Sequence, residues 1–417
     1  MGKKLLSITA LFILQFSAFS QVYEMSPPPH IRTIQFVGNT DQAQLPIIEL
    51  GQPLQMSFDD INGNEEDYYY VITHYDFDWT PSDLSKGEYL RGLDDVRIET
   101  YFNSLNTLQV FSHYTVTIPN RETRALTKSG NYLISIYNDD RELVFSRKFM
   151  IIENAVNVQV AIRRSRDFKF IETKQVVHFT INSPNLFLVN PKETVNTLVL
   201  QNSNLESAIP NLKPQYTLGQ QLVYRYDQES AYWGGNEYFN FDTKDLRGAN
   251  NTIRRVAVGD LYEHYLFTNI SRKDRPYTFN PDVNGNFVVR NLDARDVNIE
   301  SDYTRVHFNL QYFEDIGDKE IHIYGNFNNY TIDESTYMQY DPDSDSYRNS
   351  RLFKQGFYNY KYVLVDRDGS VDEGAIGGNY WQTENEYTVL VYFRDLGGRF
   401  DRIVGMGKGS STTITNN

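Results

Sequence analysis

Apolar side chains recur at every second position wherever this chain has a clear pattern. Val156, Val158, Val160 and Ile162 share one face, as do Val177, Phe179 and Ile181, then Val306, Phe308, Leu310 and Tyr312. Tyr358, Tyr360, Tyr362 and Leu364 repeat the alternation, and so do Val389, Val391 and Phe393. A period of two sets one side of a pleated strand on a core and the other in water, so each run predicts a half-buried β-strand. No long stretch carries the period of an amphipathic helix. Asn62-Gly63, Asn284-Gly285 and Asp368-Gly369 are pairs that accept positive φ, the mark of a tight hairpin. The 31 Tyr and 26 Phe suit a pleated surface packed on one side, where a phenol hydroxyl still reaches water. The expected fold class is all-β, a tandem array of immunoglobulin/fibronectin-like β-sandwich domains.

The same pattern suggests where the domains end. Lys3 and Lys4 precede an apolar run from Leu5 to Leu14, and Ala18-Phe19-Ser20 offers small residues for a signal peptidase. Residues 1–20 therefore read as a signal peptide cleaved before Gln21, since the run is shorter than the ~20 residues that span a bilayer. Ile151-Ile152-Glu153-Asn154 closes one strand just before the Val156 run, giving an N-terminal sandwich over 21–152. The charged stretch Leu292 to Asp296 marks the end of a second sandwich-like domain over 153–297, and a third follows over 298–398. Residues 399–417, rich in Gly, Ser and Thr, read as a disordered tail.

Charge and chemistry narrow the function. The chain has no cysteine, so neither disulfides nor a lipoprotein anchor are available, and its cores must be held by packing alone. A net charge of −14 argues against nucleic acid, whose phosphates require compensating Lys and Arg. No later segment has the uncharged length of a membrane span, so direct membrane insertion is not expected. Asp341, Asp343 and Asp345 are spaced like the start of a calcium loop, but Ser346 stands where its glycine would be and Leu352 where its closing glutamate would be. A solvated turn fits better. Asp76 and Asp78, beside His74, are a conceivable carboxylate pair for hydrolysis, yet no partner nucleophile accompanies them and a strand-end turn into Trp79 and Pro81 accounts for both. The seven histidines form no metal-ligating pair, and no GxSxG, phosphate loop or catalytic cysteine is present. No catalytic, cofactor or metal residue is assigned, and no cofactor is expected.

Tyr68-Tyr69-Tyr70, His74-Tyr75-Asp76-Phe77-Asp78-Trp79, Glu88-Tyr89-Leu90, Ser104-Leu105-Asn106-Thr107, His113-Tyr114, Ile118-Pro119-Asn120 and Ser129-Gly130-Asn131-Tyr132 follow one another in the first domain. Gly234-Gly235-Asn236-Glu237-Tyr238-Phe239 and Phe241-Asp242 follow in the second. In that order they resemble a family found in Bacteroidetes, the plug proteins of the type IX secretion system. The resemblance implies a periplasmic protein that binds the outer-membrane translocon barrel and closes its periplasmic opening when idle, and it implies no enzymatic activity. Ile321 to Tyr330 and Gly356 to Tyr362 are further similar to early-set domains of the glycogen-binding type. That similarity makes Tyr330, Lys361 and Asn385 candidate glycan contacts, although Ser370 or Val371 stands where the second stacking tryptophan would be.

Three readings follow: a secretion-system component acting through protein contacts, a carbohydrate-binding protein using its third domain, and a hydrolase with an unrecognised site. The first absorbs the most residues. A passenger of the same system would be expected to end in a dedicated sorting domain, whereas the segment after Gly397 is short. Neither the contact residues nor the oligomeric state follows from the sequence.

Overall fold

The computed structural model of the chain describes residues 24–38 and 44–414. The expected signal peptide lies outside the described residues. Strands and turns account for nearly all of the fold, and the α-helices among the described residues are single turns of four residues.

Each alternating run lies in a strand or begins one. Asn157–Arg164, Lys174–Asn182, Tyr303–Gln311, Gly356–Val365 and Glu386–Phe393 hold the runs described above, with Val156 and Tyr312 just beyond two of the ends. The first sandwich packs Ile31–Gly38, Leu54–Asp60, Ser112–Ile118 and Thr100–Asn103 against Ile47–Glu49, Leu143–Ile152, Gly130–Tyr137, Tyr69–Tyr75 and Val96–Arg97. Its core is aromatic: Phe58 stacks on Tyr114 at 5.2 Å and meets Tyr68 and Phe145 edge-on. Such offset and edge contacts gain about 0.5–1.5 kcal/mol per pair beyond the area they bury.

The other two sandwiches are nested, not consecutive. One sheet of the second sandwich runs Asn157–Arg164, Lys174–Asn182, Gln221–Tyr224, Tyr216–Leu218, and its facing sheet runs Asn204–Pro210, Val195–Gln201, Glu386–Phe393, Arg402–Ser410. The chain leaves this domain after Ala231–Trp233 and builds the whole third sandwich from Phe239–Asp242 to Val371–Asp372. It then returns to pair Glu386–Phe393 with Val195–Gln201. The expected boundary at 297/298 therefore falls inside the third sandwich, because the charged segment at 292–296 links two of its strands, Phe287–Val289 and Tyr303–Gln311.

Of the expected disordered tail 399–417, the described residues 399–414 are ordered. Arg402–Ser410 pairs along the length of Glu386–Phe393 and carries buried Ile403 and Val404. Gly405, Gly407 and Gly409 share one face of this strand and lie against Val156, Val158 and Val160. A Cβ on Gly407 would meet the Val158 carbonyl oxygen at 2.6 Å, and one on Gly405 would meet a Val156 methyl at 2.5 Å. The glycines are a close-packing row at period two, where any side chain would push the two strands apart.

Of the three expected hairpins, Asp368-Gly369 alone joins paired strands, Gly356–Val365 and Val371–Asp372. Asn62-Gly63 turns the chain from one sheet of the first sandwich to the other. Asn284-Gly285 adopts positive φ at both residues but precedes a strand that pairs elsewhere. Turn chemistry was satisfied in each case, and the choice of pairing partner was made by long-range packing.

Candidate functional site

Of the sequence-derived site residues, Asp76 lies in a joint between two domains. Asp76 and Asp78 flank a turn at the edge of Tyr69–Tyr75, but only Asp76 faces inward. Its Oδ2 lies 2.7 Å from Arg394 Nη2, and its Oδ1 accepts the backbone N–H of Asp401 at 2.9 Å. Burial raises the Asp76 carboxyl above the ordinary range, and the Asp401 N–H and Arg394 pull it back. Asp78 is exposed and accepts from Thr80 N–H and Oγ1 at 3.1 and 2.6 Å. The two do not converge on a shared cleft, so the arrangement fastens the first sandwich to the second and offers no acid–base pair.

The three glycan candidates are also internal. Tyr330 is buried against Tyr324, with ring centroids 5.0 Å apart, and its hydroxyl approaches Gly285 beside that of Tyr238. Lys361 places its ammonium 4.3 Å from the Tyr238 ring and 3.2 Å from Glu373. Asn385 lies in the second sandwich, where its amide donates to Gln175 at 3.1 Å and to the Gly234 carbonyl at 2.8 Å. Tyr330 presents no flat face to water, which stacking on a sugar requires, and the polar groups of Lys361 and Asn385 are engaged internally. The Asp341 to Ser346 segment is a hairpin turn in which Asp341 receives Ser344 Oγ and Arg348 at 2.7 Å each.

Family-like motif residues concentrate at these joints. His74 sits at the seam with the second sandwich, its Nδ1 2.7 Å from Ser82 Oγ and its ring against Tyr132 and Phe400. Burial pushes it down to about 4, so it is neutral near pH 7. His113 Nδ1 lies 2.6 Å from Asp59 Oδ1, and Asp59 Oδ2 receives Lys354 Nζ and the Tyr303 hydroxyl at 2.7 Å each, so first and third sandwiches meet in a buried polar knot. Burial alone would raise the Asp59 carboxyl, but Lys354 and His113 hold it below the ordinary value. Gly234 and Gly235 carry the chain from second to third sandwich. A Cβ on Gly234 would overlap the Tyr380 carbonyl oxygen, on the segment of chain that returns.

One surface is left over by these joints. From the end of Thr100–Asn103 and the loop to Ser112–Ile118 the chain presents Phe102, Leu105, Leu108 and Val110, each at least half exposed, from 50 % at Leu105 to 60 % at Val110. The loop is held from both domains. Leu105 N–H donates to the Ile299 carbonyl at 2.9 Å, and Leu108 and Gln109 N–H donate to Asp302 at 2.7 and 3.1 Å. Within the loop, Ser104 and Phe111 exchange bonds, and Gln109 Nε2 reaches the Ile61 carbonyl at 3.0 Å. Leu292 is exposed on the third-sandwich segment whose neighbours Asn291 and Asp293 share a groove with Asn106 and Leu108. Several large apolar side chains exposed on an anchored backbone make a patch suited to contact, because less of the loop has to be ordered on binding. The Ser104 to Thr107 motif is visible in the sequence, whereas its anchor at Asp302 lies almost 200 residues away.

Among the described residues no cluster of three or more His, Asp or Glu is placed to hold a metal, and no helix is long and apolar enough to cross a membrane.

Residues 31–153 match the family model described as the type 9 secretion system plug protein 1st domain. No curated protein matches the chain. Among solved structures, a hypothetical protein from Parabacteroides merdae is similar over 94% of this chain and 100% of its own, with 29% identity and a TM-score of 0.89. The ICAM-5 D1–D4 ectodomain fragment covers 90% of this chain and 76% of its own at 8% identity, and the collagen adhesin of S. aureus covers 92% and 95% at 9%. Their TM-scores of 0.16 and 0.10 carry no argument.

Proposed function

We propose that this chain, whose first domain belongs to the type 9 secretion system plug protein family, is a periplasmic stopper that closes the idle outer-membrane translocon barrel by direct contact. Export with cleavage before Gln21 is part of the same reading. A barrel wide enough for folded cargo would leak solutes when empty, so its cover must be stiff, broad and releasable. The observation that carries the reading is the apolar loop Phe102 to Val110, anchored by Asp302 across the joint between first and third sandwiches. Exposed apolar anchors on a preorganised support are what a protein interface uses for affinity. Release then requires a competitor, such as arriving cargo, that favours the open state of the barrel.

The test is a pull-down from native membranes with tagged protein, scored for the barrel. Wild type is expected to retain it, and Leu105→Asp with Leu108→Asp to lose at least tenfold of the signal while the folded state persists. No association even in cells whose export is blocked would overturn the role. Turnover of a substrate by the purified chain would overturn the view that it works by contact alone.

A further inference from the structure

We propose that the cavity between the first and third sandwiches is a binding site for a small oxyanion of the phosphate class. The cavity encloses about 250 Å³ and is lined by Arg32, Arg147 and Arg351 together with Thr33, Ser335 and Asn328. Arg147 and Arg351 are only 7 % and 8 % exposed. Among the described residues none of the three arginines makes an ion pair with a carboxylate, whereas buried Lys354 pairs with Asp59. Arg147 Nη1 donates to its neighbour's carbonyl at Ser146, and Arg351 Nη1 donates to Ser335 Oγ, each at 2.8 Å. The Nε of Arg32 and the Nε of Arg351 are buried without any partner, and so is the Asn328 side-chain oxygen.

A buried guanidinium with an unmatched N–H group is costly, and two of them beside a third buried guanidinium around one cavity are not retained without compensation. Burial lowers all three, Arg351 to about 10, where it is still charged at neutral pH; the nearby charge of Arg32 adds to the same effect. Two carboxylates lie close enough to act on them, Asp333 and Glu24, and both also serve other donors. Asp333 Oδ1 accepts from Ser335 N–H at 2.9 Å, while Glu24 accepts from Lys148 N–H and Asn329 Nδ2. Lys354 also borders the cavity, with its ammonium committed to Asp59. The unmet demand of Arg32 and Arg351 is therefore for acceptors carrying negative charge. A tetrahedral oxyanion has enough oxygens to serve several guanidinium forks at once, and a single carboxylate does not. Bound there, it would tie Arg32 and Arg147 of the first sandwich to Arg351 of the third.

The mature chain is purified free of phosphate and titrated with sodium phosphate, with sodium chloride at equal ionic strength as reference. The expected result is saturable binding by calorimetry and a rise in the thermal midpoint with phosphate that chloride does not reproduce. Arg351→Met is expected to weaken binding at least tenfold. If that variant fails to fold, Arg32→Gln at the less buried position is expected to do the same. A parallel titration with glycerol 1-phosphate separates two sources: an equal response assigns the phosphate to the end of a larger molecule, and a response to inorganic phosphate alone assigns it to the free ion. Identical behaviour in phosphate and chloride, or wild-type affinity in the arginine variants, would overturn the site and leave water as its only occupant.

Discussion

Against the second sandwich, the first presents Leu45, Met150 and Ile152, which bury with Leu198, Leu200, Leu390 and Ile403. Against the third it presents Asp59 and His113, which bury with Lys354 and Tyr303. The apolar seam gains stability in proportion to the area it removes from water, with no preferred direction. The polar knot gains little net stability from being charged, because desolvation opposes the Coulomb attraction. Its bonds are directional, however, so it admits one relative placement of the two domains. The difference teaches which joint supplies adhesion and which supplies angle. The apolar loop that faces outward is anchored on the angle-setting side, through Asp302 and Ile299.

Removing one member of the polar knot is expected to have the largest effect. Asp59→Ala takes away the acceptor for Lys354, Tyr303 and His113 and leaves an ammonium that is 1 % exposed without a counter-ion. A loss of about 3–5 kcal/mol is expected, read by chemical denaturation. Asp59→Leu combined with Lys354→Met, which removes both charges, should recover most of that loss while loosening the placement of the third sandwich. A wild-type midpoint for Asp59→Ala would erase the distinction between the joints.

Acid is expected to open the two joints in a set order. His74, at the seam with the second sandwich, is lowered to about 4 from an unfolded value near 6.5. Its neutral form is favoured by the fold, so its contribution is complete above about pH 6.5 and is lost as pH falls towards 4, up to about 3 kcal/mol. Asp401 and Lys128 also act on this ring, in opposite directions. Asp76, raised by burial at the same seam, regains part of the loss because the fold accepts its proton more readily. Asp59 is lowered, so its contribution is complete above about pH 4 and fails only below that. Hydrogen exchange at pH 4.5 should therefore lose protection around Gly130 and Ile403 while Asp59 and Tyr303 stay protected. The reverse order would contradict the assignment of roles.

How much of this was legible in the sequence depends on the range of the interaction. Alternation at Val177 to Ile181 or Tyr358 to Leu364 reports burial of one face, a local property, and the strands are where it says. Nesting was not legible, because Val195–Gln201 chooses a partner almost 200 residues away and nothing in either segment's own pattern names the other. Gly405, Gly407 and Gly409 were misread for a different reason. Composition marks glycine as flexible, while its spacing of two marks a strand face cleared for the valines beginning at Val156, and the spacing was the better guide. The motif residues His74, Asp76, His113 and Gly234 carry the family resemblance and proved to be joint residues. Tyr330, Lys361 and Asn385 match a sugar-binding pattern in order along the chain, yet each is consumed by packing or by internal hydrogen bonds.

The smallest effect expected is at a neutral polar contact inside the apolar seam. The Tyr392 hydroxyl donates to Asn131 Oδ1 at 2.8 Å, and the Asn131 amide in turn donates to the Asp76 carbonyl at 2.9 Å. Tyr392→Phe keeps the ring that meets Phe77 edge-on at 4.8 Å, so the apolar area of the seam is unchanged. What is lost is one buried hydrogen bond, with the Asn131 oxygen left short of a donor, and the expected cost is about 1–2 kcal/mol in denaturation midpoint. Area, on this account, holds the seam, and the hydroxyl only fixes its register. A loss as large as that of Asp59→Ala would mean that the seam too depends on a single directional bond, and the contrast between adhesion and angle would fail at its apolar end.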